Sequence, residues 1–68
     1  MLTVLRIGDK LREIRKRRFL TQGELAARAR VGVNTIIRIE RNQVEPQGRT
    51  IRKLADALDV APSDLLED

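Results

Sequence analysis

The sequence predicts an all-α fold, a compact bundle of five short helices. Apolar residues recur three or four positions apart in four successive segments, which is the spacing of one helix face. A proline starts a fifth segment, and no segment shows the alternation of a half-buried strand. The chain has 68 residues and 41% hydrophobic content, so it has room for one modest core. We expect one domain at residues 7 to 68, after an N-terminal arm at residues 1 to 6.

The first helix is predicted from three apolar residues. Ile7, Leu11 and Ile14 lie on one side of a helix, and charged side chains occupy the other side. The pattern stops near Arg18, so we expect the helix to end there.

The second helix is predicted to start after Thr21. Thr21 and Glu24 have the spacing of a capping box, in which each side chain accepts a hydrogen bond from the other residue's backbone N–H. Leu25, Ala26 and Ala29 then share one face. Because Ala26 is small, this helix can approach a neighbour closely.

A third helix is expected from Val33 to about Arg41, after a break around residues 30 to 32. Ile36 and Ile39 are three positions apart and indicate its buried side. Two helices this short are not stable alone, so the second and third are expected to pack against each other across a short turn.

The last third of the chain predicts a loop and two further helices. Residues 42 to 48, NQVEPQG, are rich in turn formers and predict the loop. Apolar residues at helical spacing then define the fourth helix: Ile51, Leu54, Ala55 and Leu58. Pro62 suits the first position of a short fifth helix carrying Leu65 and Leu66, because no N–H is needed at that position.

Charge is distributed unevenly along the chain. The net charge is +4; residues 1 to 30 hold nine basic and three acidic side chains, and from Leu54 onward there are five acids and no base. Such polarity suits a polyanionic partner from which the acidic end is turned away. Only Phe19 is aromatic, so modules that stack single-stranded bases on rings fit less well than duplex DNA. The alternative is that the charges only solvate a small helical domain.

The side of the third helix that faces away from Ile36 and Ile39 carries the functional signal. It presents apolar, amide and cationic side chains, a mixture that can read base edges in the major groove of DNA: Val33, Asn34, Ile37, Arg38 and Arg41. Ordinary solvent exposure is the alternative for Asn34 and Arg38, and core burial is the alternative for Val33.

Composition argues against several classes of function. With no cysteine and no histidine, the chain has no disulfides, and the usual zinc sites and nucleophile–base pairs cannot be assembled. We therefore expect no enzyme activity, no metal and no cofactor. No apolar run approaches the roughly 20 residues of a membrane span, so a cytoplasmic protein without membrane contact is expected.

Several motifs together resemble the phage-repressor-like helix-turn-helix family, also called the lambda-repressor-like or XRE family. The resemblance covers Ile7 to Leu66 and depends on the order and spacing of the motifs. In the first two helices they are LREIR at residues 11 to 15, LTQ at 20 to 22 and ELA at 24 to 26. Further along they are Thr35-Ile36, Arg38-Ile39-Glu40, LADALDV at residues 54 to 60 and Leu65-Leu66.

The resemblance implies that the third helix lies in the major groove. By position, the residues close to base edges would be Val33, Asn34, Ile37 and Arg38, and Thr35 is expected to belong to the same DNA-binding surface. Asparagine can pair with adenine and arginine with guanine, and valine or isoleucine can pack on a thymine methyl group.

The resemblance also implies contacts with the sugar-phosphate backbone. Gln22 begins the second helix, where free N–H groups and the positive end of the helix dipole suit a phosphate, and the family uses the matching glutamine for this. Arg41, Asn42 and Gln43 would follow the backbone after the third helix. Arg49 matches a basic residue that some relatives direct towards the minor groove, and a solvated arginine is the alternative.

A structural ion pair is implied between Arg15 and Glu40, which would join the first and third helices. Three residues depart from the family pattern. Arg30 and Asp59 replace glycines that usually have positive φ, so the turn at Arg30 is either mildly strained or differently shaped. Gly32 replaces the usual serine cap of the third helix.

These features favour a sequence-specific DNA-binding transcriptional regulator, a repressor that binds a palindromic operator as a homodimer. One helix covers too few base pairs for useful specificity, and a symmetric dimer doubles them. Val60, Pro62 and Leu66 are the expected dimer surface, with core cover as the alternative. The second hypothesis is a protein-interaction module, such as the antitoxin of a toxin–antitoxin pair, whose partner would be a toxin or another regulator.

Overall fold

Five helices joined by short turns make up residues 6 to 66, the part of the chain that the computed structural model describes. In chain order they are α1 (Ile7–Arg17), α2 (Gln22–Ala29), α3 (Val33–Glu40), α4 (Gly48–Leu58) and α5 (Pro62–Leu66). No strand occurs in this part of the chain, and the predicted all-α class is confirmed. Except for Arg6, the N-cap of α1, the predicted N-terminal arm lies outside the described residues. None of the described helices is long and apolar enough to cross a membrane.

The helices enclose a hydrophobic core to which all five contribute. α1 packs against α3 and α5, α2 packs against α3 and α4, and α4 packs against α5. The large side chains with at most 1% exposure are Leu11, Leu25, Ile36, Ile39, Leu54, Leu58 and Leu65. Burying each of them contributes about 1.5 to 3 kcal/mol. Ala26 and Ala29 are buried as well, and their small size allows the close approach of α2 to its neighbours.

The start of α2 has both hydrogen bonds of a capping box. The backbone N–H of Glu24 donates to Thr21 Oγ1 at 3.0 Å, and the backbone N–H of Thr21 donates to Glu24 Oε1 at 2.8 Å. The hydrogen bond from the Thr21 backbone, and then the one with its side chain, lowers the pKa of Glu24 below its usual value. The predicted N-cap is therefore present and fixes the direction in which α2 enters the bundle.

Within residues 6 to 66, left-handed backbone follows four of the helices, and none of the glycines adopts it. The residues concerned have φ of 58° or 59°: Phe19, Arg30, Asn42 and Asp59. Arg30 has ψ 44°, so the turn between α2 and α3 has the left-handed backbone that the family usually builds with glycine. The turn is therefore strained, because arginine has a Cβ atom that disfavours this conformation. The turn is closed by a hydrogen bond of 3.0 Å from the backbone N–H of Val31 to the carbonyl of Ala26.

Gly8 allows α1 to lie directly against the end of α3. A Cβ atom at this position would lie 2.0 Å from the carbonyl oxygen of Ile39 and 2.6 Å from Asn42 Oδ1. Beside it, Asn42 Nδ2 donates to Asp9 Oδ1 at 3.2 Å. The position of α3 is therefore fixed from the α1 side by a close backbone approach and a side-chain hydrogen bond.

Candidate nucleic-acid interface

The exposed face of α3 is defined by the residues buried behind it. Ile36 and Ile39 are completely buried in the core. Val33, Asn34 and Arg38 are exposed on the other side, and Val33 has 43% of its surface accessible. The core-burial alternative for Val33 is therefore ruled out, and α3 presents an apolar, an amide and a cationic side chain on one surface.

Two further residues of α3 that were predicted to contact DNA are less exposed than Val33, Asn34 and Arg38. Ile37 and Thr35 are half-buried. The N-cap, Gly32, is extended at φ −70° and ψ 145° and makes no side-chain capping bond, and its carbonyl accepts from the backbone N–H of Thr35 at 3.0 Å. The replacement of the usual serine thus leaves this helix start without the side-chain oxygen that satisfies an N–H group.

A buried ion pair joins α1 to the end of α3. Arg15 Nε donates to Glu40 Oε2 at 2.6 Å, and Arg15 Nη2 donates to Glu40 Oε1 at 2.9 Å. A third donor, Arg15 Nη1, binds the carbonyl of Leu20 at 2.9 Å. The hydrogen bonds with Glu40 raise the pKa of Arg15 above its usual value. Burial lowers this pKa in part, and the negative charge of Glu40 raises it. The pair is bidentate, the strongest arrangement for a guanidinium and a carboxylate.

Gln22 is half-buried at the first position of α2, beside the last residue of α3. Its Nε2 donates to Glu40 Oε1 at 3.2 Å. The amide of Gln22 is thus tied to α3 and is not a freely rotating surface group. One of its two N–H groups is used in this bond, which leaves the other for a partner.

The residues after α3 differ in their freedom. Arg41 and Gln43 are exposed, and the backbone N–H of Gln43 donates to the carbonyl of Arg38 at 2.9 Å. Asn42 is half-buried, and its side chain is engaged by Asp9. Asn42 therefore closes the end of α3 and is the member of this group with the least freedom to reach a ligand.

Arg49 occupies the first turn of α4 and is exposed. It follows the loop that connects α3 to α4, and within residues 6 to 66 no side-chain hydrogen bond ties it to α3. The structure thus links Gln22 to the end of α3 through Glu40, and among the described residues Arg49 has no such link.

Two contacts of this site carry no signal in the sequence pattern. The hydrogen bond from Gln22 to Glu40 joins residues 18 positions apart, and no spacing rule links them. The bond from Arg15 to the carbonyl of Leu20 ends on a backbone atom, which no residue type marks. Asn42 is different: asparagine tolerates left-handed backbone better than most residues, so an asparagine just after a predicted helix is a signal that could have identified it as the residue that ends α3.

The comparisons with known proteins decide the family. A family model described as helix-turn-helix matches residues 11–65, which is most of the chain. The chain belongs to this helix-turn-helix family. A comparison with curated protein sequences found no match.

Solved structures of several regulators are similar to this helix-turn-helix domain. The restriction-modification controller protein C.AhdI from Aeromonas hydrophila is 36% identical, with 87% of this chain and 89% of that chain covered and a TM-score of 0.85. The P22 c2 repressor in complex with a synthetic operator is 30% identical, with 90% and 92% covered and a TM-score of 0.83. SinR of Bacillus subtilis, the master regulator for biofilm formation, in complex with DNA is 32% identical, with 90% and 98% covered and a TM-score of 0.87. The resemblance to phage-repressor-like domains is confirmed.

Proposed function

We propose that this helix-turn-helix domain is a sequence-specific transcriptional regulator that inserts the exposed face of α3 into the major groove of duplex DNA. The observation that carries the proposal is the α3 face itself. Val33, Asn34 and Arg38 point away from the fully buried Ile36 and Ile39, so their exposure follows from the packing of the core. Two of the similar structures hold DNA, which supports the same use of the fold here.

Each exposed side chain of α3 suits one kind of base contact. Asn34 can form two hydrogen bonds with adenine, and Arg38 can form two with guanine. Val33 can pack on a thymine methyl group, and the half-buried Ile37 extends this apolar surface. Thr35 is half-buried in the first turn, and its hydroxyl suits a nearby base or phosphate.

Backbone contacts are proposed on both sides of α3. Gln22 at the start of α2, and Arg41 and Gln43 after α3, provide N–H donors and one positive charge for phosphates. Asn42 contributes by holding the chain direction after α3, because its side chain is occupied by Asp9. Arg49 is proposed to reach the neighbouring minor groove, where a narrow A·T-rich groove attracts arginine.

A homodimer on a palindromic operator is the proposed functional form. Pro62 and Leu66 of α5 are exposed, and Leu66 has 62% of its surface accessible. Leu66 borders a groove of about 420 Å³ that Val44 and Ile51 also line. Val60 is half-buried against the core, so it is not proposed to touch the partner copy. Repression would follow from occlusion of the operator, without a cofactor or a catalytic step.

The test of the α3 assignment compares two substitutions on a panel of duplexes. Arg38→Ala is expected to relax the preference at one base position and to cost about 1 to 3 kcal/mol of binding free energy on the preferred duplex. Gln22→Ala is expected to weaken binding to all duplexes alike, because a phosphate contact carries no sequence information. Fluorescence anisotropy at several salt concentrations measures both effects.

Arg28→Ala is the matched control for Arg38→Ala. It removes the same charge from an exposed position in the last turn of α2, at the opposite end of that helix from Gln22. We expect its sequence preference to equal that of the parent protein. If Arg38→Ala and Gln22→Ala both left binding to the preferred duplex untouched, the proposed face would be wrong.

A further inference from the structure

The carboxylate of Glu40 is shared by two helices besides its own. Its Oε2 accepts from Arg15 Nε at 2.6 Å, and its Oε1 accepts from both Arg15 Nη2 at 2.9 Å and Gln22 Nε2 at 3.2 Å. The Glu40 side chain is only 4% exposed. One buried carboxylate therefore connects α1, the first residue of α2 and the last residue of α3.

The bond to Glu40 restricts the direction of the Gln22 amide. A side-chain amide is planar and carries two N–H groups. When one of them is held by Glu40, the direction of the other is fixed by the plane of the group. Gln22 is half-buried, so part of the residue remains open to a partner outside the domain.

The negative charge of Glu40 is compensated by the positive charge of Arg15. A lone carboxylate close to the DNA backbone would repel phosphates. Here the guanidinium of Arg15 binds both carboxylate oxygens and is itself held by the carbonyl of Leu20 at 2.9 Å. The Arg15–Glu40 pair therefore acts as a neutral and rigid acceptor for Gln22.

We propose that Glu40 is a positioning residue for DNA binding: it holds the Gln22 amide so that the second N–H faces a backbone phosphate before DNA arrives. The inference rests on the proposed function. Glu40 does not touch DNA in this account and acts only through Gln22. A preorganised donor binds more tightly than a mobile one, because its rotamer is already selected in the free protein.

The first experiment measures side-chain motion in the free, full chain. The heteronuclear NOE of the Gln22 side-chain amide, recorded by ¹⁵N NMR, is compared with those of Gln43 and Gln47. Both controls are exposed, and neither makes a side-chain hydrogen bond in the described part of the chain. We expect Gln22 to be as rigid as the helical backbone and the two controls to be mobile. Equal mobility of all three would overturn the inference, and it would do so without involving DNA.

The second experiment is a double-mutant cycle on affinity for a duplex. In the parent protein, Gln22→Ala should weaken binding roughly tenfold, the effect of losing one well-made hydrogen bond. Glu40→Gln replaces one acceptor oxygen by an NH₂ group, so Arg15 and Gln22 compete for the remaining oxygen. In that background Gln22→Ala should cost less than about twofold, the non-additivity expected of coupled residues.

The two experiments separate the possible failures. The same fold-loss from Gln22→Ala in both backgrounds, with circular dichroism showing both folded, would mean that Glu40 does not position Gln22. If Glu40→Gln does not fold, the NMR comparison in the parent chain alone decides whether Glu40 holds Gln22. If Gln22 is rigid but the protein binds no duplex, the hydrogen bond to Glu40 is supported. The proposed function is then overturned, and the positioning role with it.

Discussion

At the scale of single residues, the turns of this domain place side chains where glycine would be unstrained. Arg30 has φ 59° and ψ 44°, and Phe19 has φ 58° while 93% of its surface is exposed. Left-handed backbone costs a non-glycine residue roughly 1 to 2 kcal/mol. The helix-turn-helix geometry is thus maintained by the packing of α2 and α3 and not by the local preference of Arg30.

Replacing Arg30 by glycine should stabilise the domain. Arg30→Gly relieves the left-handed strain, so we expect the free energy of unfolding to rise by about 1 kcal/mol. The greater freedom of glycine in the unfolded chain offsets part of this gain. Arg28→Gly is the matched control, because it removes the same side chain inside α2 and should cost about 1 kcal/mol. Thermal unfolding followed by circular dichroism measures both. A decrease in stability for Arg30→Gly would show that Arg30 is not strained.

The buried carboxylate of Glu40 joins α1 to α3 through its ion pair with Arg15. Glu40→Ala leaves Arg15 charged and buried without its partner, so we expect a loss of about 3 to 5 kcal/mol, which would unfold or strongly destabilise a domain of this size. The Glu40 side chain does not belong to the exposed α3 face, so the loss arises in the core. A melting temperature within a few degrees of the parent protein would contradict this reading.

At the scale of helices, the order and bounds of the elements were predictable because each helix carries its own signals. The third helix was expected from Val33 to about Arg41 and is observed at Val33–Glu40. The capping box at Thr21 was read from the spacing of two residues. Such signals are local, and the core pattern at i, i+3 and i+4 is local as well.

The contacts between helices were not predictable in the same way. Gln22 meets Glu40, and Asp9 meets Asn42, only after three helices have packed together. The Arg15–Glu40 pair was expected solely because of the family resemblance, since no spacing rule connects residues 25 positions apart. The base-contacting roles proposed for α3 remain predictions, because they depend on contacts with a partner molecule.

The contact between α1 and α3 should be sensitive to one methyl group. Gly8→Ala places a Cβ against the backbone carbonyl of Ile39, so we expect a loss of about 1 to 3 kcal/mol as α1 shifts away from α3. Gly23→Ala is the matched control in α2, where the nearest atom is Thr21 Oγ1 at 4.0 Å, and it should gain about 0.5 to 1 kcal/mol. Chemical denaturation compares the two proteins. Equal stability changes would mean that the close approach at Gly8 has no energetic consequence.

At the scale of the whole molecule, the charge distribution favours an orientation in which the acidic C-terminal part is turned away from DNA. Most of the charged residues between positions 1 and 30 are basic, and all the charged residues from Leu54 onward are acidic. The proposed dimer surface around Leu66 belongs to the acidic part, and the proposed DNA surface on α3 lies on a different element. Binding should weaken steeply with salt, because each phosphate contact by arginine or lysine releases counterions.

The most direct measurement is selection of binding sites by the purified protein from a pool of random DNA duplexes. If the α3 face enters the major groove of two half-sites, the selected sequences will share an inverted repeat whose half-site centres are about one helical turn, roughly 34 Å, apart. If no sequence is enriched over the starting pool, even at low salt where electrostatic binding is strongest, the proposal that α3 reads duplex DNA is contradicted.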